Sequence, residues 1–96
     1  MPTYILLGKL TQKAIEHFDR AAERDADGDR IIASVGGRVL AHYYTFGRYD
    51  FVVIVDLPSE AALAKALVEI QKWGTVTTEC MTGMTPDEVY RAVKES

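Results

Sequence analysis

The chain has 96 residues, of which 48% are hydrophobic and 26% charged, with a formal net charge of −3. That is the length and composition of one globular domain with a modest stability margin. Lys and Arg are scattered and number 11 against 14 acidic residues, which argues against a nucleic-acid partner. No apolar run approaches the ~20 residues needed to span a bilayer. Cys80 stands alone, so a disulfide framework is excluded. The N-terminus, Met-Pro-Thr-Tyr-Ile-Leu-Leu-Gly-Lys, lacks the pattern of a signal peptide. A cytoplasmic location is the expectation.

Taken in order, Thr3 to Leu10 reads as a strand whose continuous run Tyr4–Leu7 marks it as central in a sheet. Thr11 offers a cap oxygen to a helix with the stripe Ala14, Ile15, Phe18, Ala21 and Ala22. Asp25 to Asp29, with Gly28, predicts a break in that helix, followed by a second piece over Arg30–Val35. Asp25, Asp27 and Asp29 match the first ligands of a calcium loop. Arg30 and Gly36 then occupy the glycine and glutamate positions, so a solvated turn is the expectation. Gly36-Gly37 ends the segment.

Arg38 to Phe46 and Tyr49 to Leu57 read as a hairpin turning on Gly47 and Arg48. Pro58 stops it. Ser59 caps a helix with the stripe Leu63, Ala66, Leu67 and Ile70, anchored by Trp73 and closed by Gly74. Thr75 to Thr82 is a β-branched strand. Thr85-Pro86-Asp87-Glu88 has the form of a capping box ahead of a short helix through Val89, Tyr90 and Val93.

The order βαββαβ predicts a ferredoxin-like α+β sandwich: a four-stranded antiparallel sheet with helices on one face, over residues 1–84, and a helical extension over 85–96. The strands carry apolar residues for the other face as well. A second copy, pairing sheet to sheet, is the simplest cover.

Gly47-Arg-Tyr49-Asp50, the following run Phe51–Asp56 and Pro58 resemble the signature of the GYD domain family. Gly36-Gly37 ahead of Arg38-Val39, and Trp73-Gly74-Thr-Val76-Thr-Thr-Glu79, fit the same pattern. The resemblance spans residues 3–82 and implies a dimeric α/β barrel of two ferredoxin-like units. The family has no generally assigned activity. Its wider superfamily includes cofactor-free monooxygenases, haem-dependent enzymes and ligand-sensing domains, and fold alone does not choose among them. The helix after Met84 extends beyond the usual family core, where it covers a barrel end or reaches a neighbouring subunit.

Strict alternation places Leu40, His42 and Tyr44 on one face of their strand and Val39, Ala41 and Tyr43 on the other. Because Val39 and Ala41 suit packing under helices, His42 and Tyr44 are expected on the face turned away from them. There they would line a ligand pocket between two sheets. Tyr49 and Asp50 form either a hydrogen-bonded pair at the pocket rim or a turn device, with Gly47 at positive φ and Asp50 capping amides. Glu79 is a general base or metal ligand if it faces inward with His42, and an edge ion pair otherwise. His17, His42 and Glu79 lack the spacing of a metal set. Cys80 has no activating neighbour in sequence.

No phosphate-cradling loop, nucleophilic triad or cofactor signature appears. The residues therefore predict a self-associating small-molecule-binding protein. The alternatives are a monooxygenase-like enzyme using His42, Tyr44 and Glu79, and a regulatory subunit that binds another protein.

Overall fold

The computed structural model describes residues 1–95. Four strands, β1 (Thr3–Leu10), β2 (Arg38–Tyr44), β3 (Phe51–Asp56) and β4 (Val76–Gly83), form one antiparallel sheet in the order β2-β3-β1-β4. This is the ferredoxin-like order, with the two most apolar strands in the centre. Helices α1 (Gln12–Glu16), α2 (Ala21–Ser34) and α3 (Glu60–Gln71) serve one face. Between sheet and helices lies a core of Tyr4, Leu6, Ile32, Val55, Leu57, Ala62 and Ala66.

The expected caps form. The Thr11 hydroxyl accepts from the Ala14 N–H at 3.4 Å, and Ser59 does the same for Ala62 at 3.2 Å. At the end of α2, Gly36 takes a φ of 86° and its N–H donates to Ala33 O, while the Gly37 N–H donates to Ile32 O. These two bonds are a Schellman cap, which needs the left-handed residue that glycine supplies. At Gly37 a Cβ would strike Leu57 and the Asp56 carbonyl.

The first helical segment departs from expectation. It breaks at His17, into a 3-10 turn over Phe18–Arg20, and then runs without interruption through Asp25–Asp29 to Ser34. Arg24 explains the position of the break: its guanidinium reaches back to donate to His17 O at 2.9 Å and Ala14 O at 3.3 Å. The Ala14 carbonyl, which the break leaves without a helical donor, is thereby satisfied, and His17 O also accepts from the Arg20 N–H at 2.9 Å. Gly28 stays helical, as tertiary packing often overrides a residue's own propensity.

The hairpin also differs. Residues 45–50 form the loop, closed by the Thr45 N–H donating to Asp50 O and by the Thr45 hydroxyl donating to Tyr49 O. Positive φ among the described residues occurs at Gly36 and Gly74, not at Gly47.

Helix α4 (Pro86–Glu95) begins with the expected capping box. The Glu88 N–H donates to the Thr85 hydroxyl at 3.2 Å, and the Thr85 N–H donates to the Glu88 carboxylate at 3.0 Å. None of its residues is buried. The radius of gyration is 14.5 Å, against about 12.5 Å for a compact chain of this length. The excess fits an α4 that projects from the domain.

Candidate functional site

Register decides which side chains meet. Directly opposed residues share a sheet face. Tyr4, Leu6 and Gly8 oppose Val55, Val53 and Phe51, and these point to the helices. Along β2, Val39 opposes Val55, but the next pair is Ala41 with Ile54, so Leu40 is the extra residue of a β-bulge. After the bulge His42 opposes Val53 and Tyr44 opposes Phe51. His42 and Tyr44 therefore face the helices and join Val39 there, contrary to the alternation read from sequence. One inserted residue shifts the period-two pattern and reverses everything beyond it.

The two residues line a cavity of about 90 Å³ inside the protomer, between the sheet and α2. It is not a pocket between two sheets. Leu6, Phe51, Val53, Ile70 and Trp73 form its apolar wall. Phe51 is held in place because its ring covers Gly8, where a Cβ would overlap the ring itself. The His42 ring lies 5.3 Å from that of Tyr44 and 6.1 Å from that of Phe51, and Phe18 meets Tyr44 edge-on at 5.7 Å.

The side of the cavity formed by α2 is polar. Arg24, Asp25, Gly28 and Asp29 of α2 line it. The Tyr44 hydroxyl donates to Asp25 Oδ2 at 2.7 Å. Partial burial, reinforced by that bond, pushes the Tyr44 phenol up to about 12, so it stays a neutral donor. The sequence offers Asp25 and Asp29 only as part of an incomplete calcium loop and gives Arg24 and Gly28 no ligand role. The available signal was the polar interruption of the apolar stripe, which reads as a solvated turn until the helix is known to continue.

Tyr49, Asp50 and Glu79 lie elsewhere. Glu79 opposes Leu7, which is on the face away from the helices. It cannot act with His42, and the proton-transfer set expected of His42, Tyr44 and Glu79 is divided by the sheet. The Tyr49 hydroxyl donates to the Glu79 carboxylate instead, which raises the phenol's pKa. Asp50 is a structural tie: its carboxylate accepts from the Leu10 N–H at 2.8 Å, and its own N–H donates to Gly8 O at 2.8 Å. These bonds fasten the hairpin to β1. Cys80 lies on the helix-side face opposite Leu6, and burial pushes its thiol up, away from nucleophilic character.

The face away from the helices carries Ile5, Leu7, Ala41, Val52 and Ile54 at its centre. Tyr43 and Met81 flank them, 64% and 47% exposed. Polar groups stand at both ends. At one, Asp56 accepts from the Thr3 hydroxyl at 2.7 Å and pairs with Arg38 at 3.4 Å; at the other is Tyr49 with Glu79.

The GYD domain family model matches residues 4–93, a segment that includes nearly all of α4. A relative from Thermus thermophilus, a glutamine synthetase and cystathionine beta-lyase binding protein, is 34% identical over 95 residues. The match covers 98% of this chain and 100% of the relative. The crystal structure of FFRP-DM1 superimposes with a TM-score of 0.62 at 20% identity, covering 88% of this chain and 100% of that one. A feast or famine regulatory protein from M. tuberculosis, complexed with L-methionine, gives a TM-score of 0.57 at 15% identity, covering 88% of this chain and 51% of that one. At such identities the two structures speak to the fold.

Proposed function

The chain belongs to the GYD domain family, and from that premise we propose a homo-oligomeric binding module whose sheet faces pair between copies. The observation that carries this reading is the apolar face centred on Ile5, Leu7, Val52 and Ile54, on the side of the sheet away from the helices. A sheet buries both apolar faces, and a second identical face supplies a self-complementary cover about 10 Å away. An apolar centre between polar ends is also the anatomy of protein interfaces. The small molecule of this reading sits within each protomer, where His42 and Tyr44 are, while Tyr49 and Glu79 belong to the paired faces.

Replacing Ile54 by Asp tests the assembly. In analytical ultracentrifugation the wild type should sediment as a dimer or a multiple of it, and the variant as a folded monomer. A variant with wild-type mass sinks the reading.

A second reading concerns protein partners. The full-length similarity to a protein named for binding glutamine synthetase and cystathionine beta-lyase favours an enzyme-binding, regulatory role. Two features suit it: Phe46 at the hairpin tip, fully exposed, and the stripe Val89, Tyr90 and Val93 on α4, each more than 40% exposed. Binding of both purified enzymes from the same cell, measured by calorimetry with the whole chain and with a chain ending at Met84, tests it. Absence of binding to either enzyme removes this reading and leaves the assembly intact.

A further inference from the structure

Helix α2 departs from the rule for a helix laid on a sheet. Its sheet-facing side runs through Ala21, Arg24, Asp25, Gly28, Asp29 and Ile32, the spacing of one helical face. Ala21 and Ile32, at the ends, are buried as expected. Between them the face is polar and includes a glycine. An alanine at 28 would favour the helix, and a Cβ there meets nothing within 4 Å. A larger apolar side chain would fill the void. Local rules broken at one point of an otherwise regular element mark functional positions.

The void lies directly below. At about 90 Å³ it holds several times the space of one water, room for roughly six to nine non-hydrogen atoms. Phe51, His42 and Tyr44 present ring surfaces to it, which favours a flat body.

Charge selects the head group. Two carboxylates, Asp25 and Asp29, line the α2 side of the cavity. Arg24, the one Lys or Arg among the described lining residues, already donates to Ala14 O and His17 O. Tyr44 occupies Asp25 Oδ2, and among the described residues nothing occupies Oδ1. An anionic head would meet two like charges, whereas an ammonium would find a free acceptor and a charge-assisted bond.

We propose that the cavity beneath α2 binds a small primary amine with a flat apolar body, its ring against Phe51 and His42 and its ammonium at Asp25. This deepens the binding-module reading. It rests on that reading but not on assembly, because the cavity lies on the helix side of the sheet, away from the face proposed to pair.

The test is an amide NMR titration of the whole chain with three probes of one body and different heads: benzylamine, benzyl alcohol and benzoate. Benzylamine should shift the resonances of residues 24–29, His42 and Tyr44 and bind roughly tenfold more tightly than benzyl alcohol, with benzoate weaker still. Asp25→Asn keeps an oxygen for Tyr44 but removes the charge, and should bring the amine and alcohol affinities together. Gly28→Leu should fill the cavity and abolish the shifts while the spectrum stays folded. If Gly28→Leu does not fold, Gly28→Ala should weaken benzylamine binding instead. Equal affinity for all three probes, shifts confined to the opposite sheet face, or no shift up to the solubility limit would each overturn the proposal. Ultracentrifugation of the same samples keeps this outcome separate from that of the assembly.

Discussion

Deleting Leu40 tests whether it is the unpaired residue of a bulge. In the structure Leu40 is the unpaired residue of the bulge, between the pairs Val39–Val55 and Ala41–Ile54. Its removal leaves a regular ladder in which His42 still opposes Val53 and Tyr44 still opposes Phe51. The cost is the partial burial of a leucine that is 47% exposed, about 1 kcal/mol. Relief of one ordered residue offsets this by a similar amount, so stability should change by less than about 1 kcal/mol. If Leu40 were instead a paired residue of a regular ladder, on the helix side with His42 and Tyr44, the same deletion would turn those two rings away from the helices. That reversal forfeits the Tyr44–Asp25 bond and the ring contacts of Phe18, His42 and Phe51, a loss of about 3 kcal/mol or more. Urea unfolding measures the difference, and alkaline titration of the tyrosines adds a second readout, since Tyr44 should keep its phenol near 12. A variant destabilised by about 3 kcal/mol that also loses the late-titrating tyrosine would refute the bulge.

Gly8→Ala should destabilise the fold by about 3 kcal/mol, because the new methyl overlaps the buried Phe51 ring. Combined with Phe51→Ala it should cost less than the sum of the two changes, as read from denaturant midpoints. The raised Tyr44 pKa means the folded state holds that proton more tightly than the unfolded chain. Its contribution is complete below pH 10.0, the ordinary tyrosine value, and is lost as pH rises toward about 12. Phenolate absorbance should lose its latest-titrating component in Tyr44→Phe. Glu88 has the opposite sign: its bonds to Thr85 hold the carboxyl below the 4.5 of an ordinary glutamate. Its support of α4 is present above that value and lost as pH falls through the depressed one. Circular dichroism should show an acid-induced loss of helix that Glu88→Gln, which caps without titrating, lacks.

Most of the fold was legible because its signals are local. The runs in β1 and β3 mark central strands; Thr11, Ser59 and the Thr85–Glu88 box mark helix starts; Gly36-Gly37 marks a stop. The bulge at Leu40 was hidden because it exists only in relation to β3. Helix continuity through Gly28 was hidden because the break is set by Arg24 reaching back to Ala14 and His17, contacts no local pattern displays. The site followed from both. His42 and Tyr44 do sit together, on the opposite face from that expected, and their neighbours on α2 had been read as a solvated turn. Asp50 was legible as a backbone tie, though through the Leu10 amide of β1 rather than a turn at Gly47.

Native mass spectrometry of the wild-type chain at micromolar concentration tests the proposed pairing of sheet faces most directly. Pairing of the faces predicts an even-numbered assembly, dimer or multiple of dimers. A monomer at every concentration, with Ile5, Leu7, Val52 and Ile54 left without a second sheet, would contradict it.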